Sequence, residues 1–387
     1  MIFKSSFSYL LLLLIFTSSC NKSNDQEIRP ISVVSCSDGI QNGDENGVDC
    51  GGTCALCPGI KVLEGELFAR LKLDIRFEYL VTGPFLIRDG AILEVPAGIK
   101  IKVKENVGAY IAVAQGGKLF TWGTKDNPVI ITSNSKNPAP GDWGGLIFCG
   151  KAPVSNGIQS RSELGDFFYG GNDPSDGSGS LRYTRIEYAG AVYADEIRFN
   201  ALSFFGVGNY TSLNNITVFE AAGTSFKWFG GTVNSSYLFS NKSGSVGMEI
   251  ADGWQGTGSF WHSYYNQISG IQVENQYFAS SNDRNNQFNL SNISIVGTNN
   301  SFGIHFKEGN PIGLIQNLYL SDVFIGVSLS GEKPFGNLSS SLLNFQSVQV
   351  ENYNQLSNQS EVFPNYIQQL DASGSGSKGD IPEWADF

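Results

Sequence analysis

Histidine is nearly absent from this chain: His262 and His305 are the only two in 387 residues. A histidine general base must therefore be one of these, and of the two only His305 falls in an outward-facing column of strand residues. Charge is also scarce, with 16% Asp, Glu, Lys and Arg, which argues against disorder and against solvent-exposed helices. The balance is acidic, 25 Lys and Arg against 36 Asp and Glu, for a net charge of -11. That excludes nucleic acid as a partner, and it excludes anionic membrane surfaces or polyanionic glycans held by a basic patch. Neutral sugars, cations and proteins remain. The apolar run at residues 9–16 is too short to span a bilayer.

What is abundant points to stacked strands. Glycine (46), phenylalanine (27) and tyrosine (15) suit tight turns and pleated sheets. Six asparagines, Asn215, Asn241, Asn266, Asn292, Asn317 and Asn344, recur at steps of 25–27 residues, each two positions after an apolar residue. A near-constant period of this length marks a chain that coils on itself, one turn per repeat. Asparagine suits the bend between two strands because its amide bonds backbone groups and it tolerates left-handed dihedrals. The expectation is that all six stack in one column. A second set of triplets, Phe226-Lys-Trp228, Met248-Glu-Ile250, Ile271-Gln-Val273, Ile304-His-Phe306 and Val327-Ser-Leu329, places one polar residue between two apolar ones. The apolar pair should point into the coil, leaving Lys227, Glu249, Gln272, His305 and Ser328 as an exterior column with about 4.8 Å between rungs. The same register pairs Glu274 with Lys307.

The first residues read Lys4, an apolar stretch, then Thr17-Ser-Ser-Cys20, the layout of a bacterial lipoprotein signal. Residues 1–19 are thus expected to be removed, Cys20 to carry lipid, and residues 20–35 to form an acidic tether. Asn21, Asp25 and Glu27 fit sorting to the outer membrane and its outside face. Next, Cys36, Cys50, Cys54 and Cys57 crowd into residues 36–58. In an exported chain two disulfides are favoured over zinc, with three pairings open. Asp38, Asn42, Asp44 and Asp49 offer hard oxygens suited to calcium, and equally suit turns in a small soluble knot.

Residues 36–58 resemble the Cys-Asp-Gly-x-x-Asn-Gly-x-Glu element of Bacteroidota surface proteins. Val95-Pro-Ala-Gly98, Gly117-Lys-Leu-Phe-Thr-Trp-Gly-Thr124, Gly141-Asp-Trp-Gly-Gly145 and Phe229-Gly-Gly-Thr232 resemble signatures of a Bacteroidota family of surface β-helix lipoproteins in the pectin-lyase-like superfamily. The resemblance implies an all-β fold, a right-handed parallel β-helix over residues 60–370, followed by a flexible tail, 371–387. In that family an Asp-Asp-Gly-x-Glu precedes Phe-Gly-Gly-Thr, with more carboxylates on the next rung. Here Gly223, Thr224, Lys227, Ser245, Val246 and Ala251 stand at those places and only Glu249 survives. If the family site binds calcium, this copy has lost it, since Lys227 would neutralise Glu249.

Paired carboxylates of a hydrolase and the Gly-His-Gly tripeptide of polygalacturonases are not visible, so the sequence favours a non-catalytic binding or scaffold subunit, with a β-barrel of the outer membrane or a surface glycan as partner. A polysaccharide lyase or hydrolase is the rival reading. Candidate binding residues are aromatics in the stretches that break the repeat, Phe167, Phe168, Tyr169, Tyr193, Tyr277 and Phe278, and Trp254 and Trp261 around a glycine-rich turn. Aromatics that close a β-helix would look the same. Cys149, following an apolar strand, reads as a buried core thiol.

Overall fold

The computed structural model describes residues 35–39, 41–45, 49–55, 59–155, 159–162, 164, 167–195, 197–275 and 285–387. The chain divides into two compact units, Met1–Cys57 and Pro58–Phe387. In the second, one 21-stranded sheet winds on itself with parallel pairing throughout. Each turn contributes one strand segment to each of three faces. Face one stacks Leu202–Phe205, Phe226–Phe229, Val246–Ala251, Ser269–Val273 and Phe302–Phe306. Faces two and three share long strands that bend midway, such as Ser212–Phe219, Asn234–Asn241, Gln255–Tyr264 and Gln287–Val296. This is the parallel β-helix expected from the sequence, preceded by a disulfide-bearing segment.

The bend between faces two and three is made by one left-handed residue per turn: Tyr183, Asn215, Tyr237, Phe260, Asn292, Asn317 and Ser347, all with φ between 43° and 58°. These positions fall between paired neighbours in every rung, so they form a single column. Asparagine enters such dihedrals readily and aromatics do not, but Tyr237 and Phe260 stack their rings at 4.7 Å and 5°. Asn317 Nδ2 donates to Asn292 Oδ1 at 2.7 Å. The six-asparagine column is thereby corrected: Asn215, Asn292 and Asn317 occupy it, whereas Asn241 ends a face-three strand, Asn266 lies in the turn beyond and Asn344 starts the last strand. Buried Asn266 has another task, accepting from the Ser243 N–H at 2.7 Å.

The interior is apolar and heavily aromatic. Trp228, Trp254 and Trp261 are fully buried, and Trp228 stacks on Trp261 at 4.8 Å. Glycine makes room for them. A Cβ on Gly258 would lie 2.4 Å from Trp261 Cζ2, and one on Gly256 would lie 2.6 Å from Trp254 Cζ2. A second apolar cluster lies outside the coil against face one, built from Tyr110, Phe167, Tyr169, Phe199, Phe205 and Phe229 among others. Phe205 and Phe229 point outward from adjacent rungs, stacked at 4.1 Å, and the chain between faces folds back to cover them.

The last parallel strand, Leu343–Ser357, ends the coil, and Val362 and Ile367 are buried beyond it. Residues 371–387, expected to be a flexible tail, instead pack back along the solenoid. Ala372 N–H donates to Gln349 Oε1, Ser373 N–H to Asn317 Oδ1 and Ser375 N–H to Ser294 Oγ. Further on, Trp384 meets Tyr237 edge-on at 5.4 Å and Lys125 pairs with Glu383 at 3.0 Å. Glycine lets this segment lie close against the rungs, since a Cβ on Gly374 would lie 2.1 Å from Ser294 Oγ.

Candidate functional site

Face one carries the cleft with the most ionisable chemistry. The outward column is the one the triplets predict: Lys227 pairs with Glu249, Glu249 with Gln272, Gln272 with His305 and His305 with Ser328. Two residues along each strand, the same outward side bears Phe229, Ala251, Glu274 and Lys307. Of these, Lys227, Glu249, Gln272, His305, Glu274 and Lys307, together with Arg198, Asn200, Thr224, Ile268 and Phe302, line a cleft of about 420 Å³. It adjoins the outer apolar cluster, because the outward residues change from Phe205 and Phe229 to Glu274 and Lys307 along the same face.

Two lysines and two carboxyls meet in this cleft. Lys227 Nζ lies 2.8 Å from Glu249 Oε1, and Lys307 Nζ lies 3.1 Å from Glu274 Oε2. Both expected pairs thus form. The sequence reading missed the diagonal: the Glu249 and Glu274 carboxyls act on each other, each shifting the other's affinity for its proton. Burial pushes Glu249 up, but the Lys227 charge and hydrogen bond outweigh it and its pKa falls below the usual range. Burial and then the Glu249 charge push Glu274 up to about 7, against the two lysines. Pairing each acid with its own lysine, as the register does, leaves out this effect of one acid on the other. Gln272 Nε2 donates to Glu274 Oε2 at 3.1 Å and Thr224 Oγ to Glu249 Oε2 at 3.1 Å.

A consequence is measurable. Glu274 binds its proton more tightly folded than unfolded, so stability falls as pH rises from about 4.5 towards 7 and then levels off. Gln resembles the protonated acid. Glu274→Gln should therefore melt a few degrees above the wild type at pH 8 and close to it at pH 5, read by calorimetry at both pH values. Equal melting temperatures at pH 8 would refute the raised proton affinity of Glu274.

His305 stands at the far end of this column, its Nε2 3.2 Å from Ser330 Oγ, and burial and then Lys307 depress its pKa. His262 lies on face three beneath the C-terminal segment, Nδ1 2.8 Å from Ser375 Oγ, and burial pushes it down to about 3. Cys149 is buried in the outer cluster, which pushes its thiol well above the ordinary range.

The aromatic candidates divide by burial. Phe167 and Tyr169 belong to the outer cluster, with Tyr110 5.9 Å from Phe167 and Tyr169 5.0 Å from Phe205. Trp254 and Trp261 are inside the coil. These four are packing residues, so their assignment to binding is corrected. A buried ring has no face left for a ligand. Phe168 and Tyr193 remain exposed, Phe168 under the Arg161 guanidinium at 4.7 Å. Tyr277 and Phe278 lie outside the described residues.

In the first unit Cys36 is bonded to Cys54, and Cys50 is disulfide-bonded as well. Cys20 and Cys57 lie outside the described residues. The carboxylates do not assemble a calcium site. Asp49 accepts the N–H groups of Asp38 and Gly39, Asp38 accepts from Asn42 Nδ2 at 2.9 Å, and Asp44 accepts from Thr53 at 3.1 Å. Among the described residues the one group of convergent metal-type ligands is Cys36, Glu45 and Cys54, two of which are joined in the disulfide. These contacts are the ones turn-forming residues make.

The pectate-lyase-like beta helix domain family matches residues 65–387. The chain belongs to that family. No curated protein and no solved structure matches it.

Proposed function

We propose that this protein is a non-catalytic binding or scaffold subunit, lipid-anchored through Cys20 at the outer membrane and facing outside the cell, where it sits on an outer-membrane β-barrel complex. The observation that carries the non-catalytic reading is the closure of the Lys227, Glu249, Glu274 and Lys307 network upon itself. The Glu249 and Glu274 side chains are only 6% and 3% exposed. A general acid must reach the atom it protonates, and these oxygens are taken up by Lys227, Lys307, Gln272, Thr224 and each other. The disulfide between Cys36 and Cys54 supports an oxidising compartment.

A carbohydrate-active enzyme is the second reading, favoured by the raised Glu274 beside an ionised Glu249. One set of experiments separates the two. Cys20→Ala should release the protein from membranes, protease added to whole cells should digest the wild type, and affinity purification from native membranes should bring down a barrel protein. Turnover of any glycan in a panel of acidic and neutral polymers, abolished by Glu274→Gln, would replace the binding reading with the enzymatic one.

A further inference from the structure

Face two differs from the rest of this acidic molecule. Its outward positions across six successive rungs, residues 212–214, 234–236, 255–259, 287–291, 312–316 and 343–346, are Ser, Thr, Asn, Gln, Ile or Leu, and not one is charged. The strands are in register, so these side chains form rows with about 4.8 Å between them. Some are already tied into ladders: Asn214 Nδ2 donates to Ser236 Oγ at 2.6 Å, and Asn234 Oδ1 accepts from Thr257 N–H at 2.8 Å. A groove of about 410 Å³ runs along Asn234, Thr257, Gln287 and Asn289.

The same face continues into aromatics. Phe120 pairs with Ser180, which pairs with Ser212, so the ring of Phe120 stands in the column that contains Asn234, with Glu94 on the rung before it. Trp122 stacks on it at 5.4 Å and 6°, and is 46% exposed. Tyr210, 77% exposed, shares with Phe120 the lining of an adjoining cleft of about 570 Å³. Large rings left in water in this way cost free energy unless something covers them.

We propose that face two, from Trp122 and Tyr210 down to Gln346, is a docking surface for a neutral polysaccharide. The charge pattern selects this occupant. A chain of net charge -11 repels polyanions, and the six uncharged rungs have nothing to hold polycations or basic proteins, while the charges at the aromatic end, Arg182 beside Asn214 and Lys118, Lys151, Asp173 and Asp176 in the adjoining cleft, are of both signs. Rows of amides and hydroxyls can both donate to and accept from sugar hydroxyls. The flat aromatic pair offers an apolar surface for the C–H side of a sugar ring. The closed network on face one takes no part. This inference extends the binding reading to a second face, and a barrel partner found without glycan binding would sink the inference while leaving that reading standing.

The test uses the full-length protein in detergent against insoluble cellulose, mannan and β-1,3-glucan, with polygalacturonate and chitosan as charged controls, by depletion from solution. At least one neutral polymer should retain the wild type, and the charged ones should not. Trp122→Ala with Tyr210→Ala should weaken retention about tenfold. Asn289→Asp, which keeps size and adds charge at the middle of the array, should weaken it separately. Both variants should melt as the wild type does, because the altered side chains are at the surface. Failure to bind any neutral polymer overturns the proposal, and so does binding that survives both variants or that polygalacturonate matches.

Discussion

Lys227→Met should destabilise the solenoid by about 3–5 kcal/mol at pH 7, lowering the melting temperature by roughly 5–10 °C. The ammonium and the Glu249 carboxylate are 8% and 6% exposed and 2.8 Å apart. Removing the cation leaves an ionised carboxylate in a dry site beside a second acid, and the one cation left in the network, Lys307, is paired with Glu274 and not with Glu249. Glu249 would then hold its proton to higher pH, because the Lys227 attraction is what keeps its pKa low. The loss should accordingly shrink as pH falls and the carboxylate is neutralised. A Lys227→Met, Glu249→Gln double variant should regain most of the lost stability, since the charge that lacked a partner is gone. A single-variant loss below about 1 kcal/mol would mean that water reaches the pair and that the cleft is more open than its exposure indicates.

That network shows where the sequence could and could not be read. The triplets on face one fixed their own register, because in each an apolar pair faces the core and a one-residue slip would bury Lys227 or Glu249 in it. The rung partners Lys227 with Glu249 and Glu274 with Lys307 followed. The diagonal between Glu249 and Glu274 was legible in principle, since Glu274 stands two residues beyond Gln272 on the same outward side. It was missed because only direct rung neighbours were paired. The asparagine series misled for a different reason. The bend needs one left-handed residue per turn, and Tyr183, Tyr237, Phe260 and Ser347 meet it as well as asparagine does. Their neighbours hold the dihedral, so residue type alone does not mark the corner.

Burial of the aromatics was equally hidden. Insertions that break a repeat read as surface loops, yet Phe167 and Tyr169 cover a face-one column whose own outward residues, Phe205 and Phe229, are apolar. That apolar column was the available signal. Conversely, Trp122 and Tyr210 are among the exposed rings but sit in regular rungs or short turns, where no break in the repeat marks them. The C-terminal segment could not be placed at all from its composition, because its partners are spread from Gln349 back to Lys125.

Trp261→Ala should cost about 3–5 kcal/mol, with no separate effect on any ligand. The indole is fully buried, stacked on Trp228 at 4.8 Å and 6° and packed beside Trp254. Its ring fills the space left by Gly258, whose missing Cβ would be 2.4 Å from it. Neighbouring rungs are pinned by backbone bonds to the turns above and below, so they cannot collapse into the hole, and the cavity term should add to the lost burial. Trp261→Phe should cost less, because it keeps part of the stack and removes an indole N–H that has no hydrogen-bond partner. Phe168→Ala, at a half-exposed ring, should change stability by about 0.5 kcal/mol or less. Denaturant unfolding of the three variants measures the series. If Trp261→Ala instead left stability intact and abolished capture of a glycan or protein partner, the tryptophan would belong to a binding surface and not to the core.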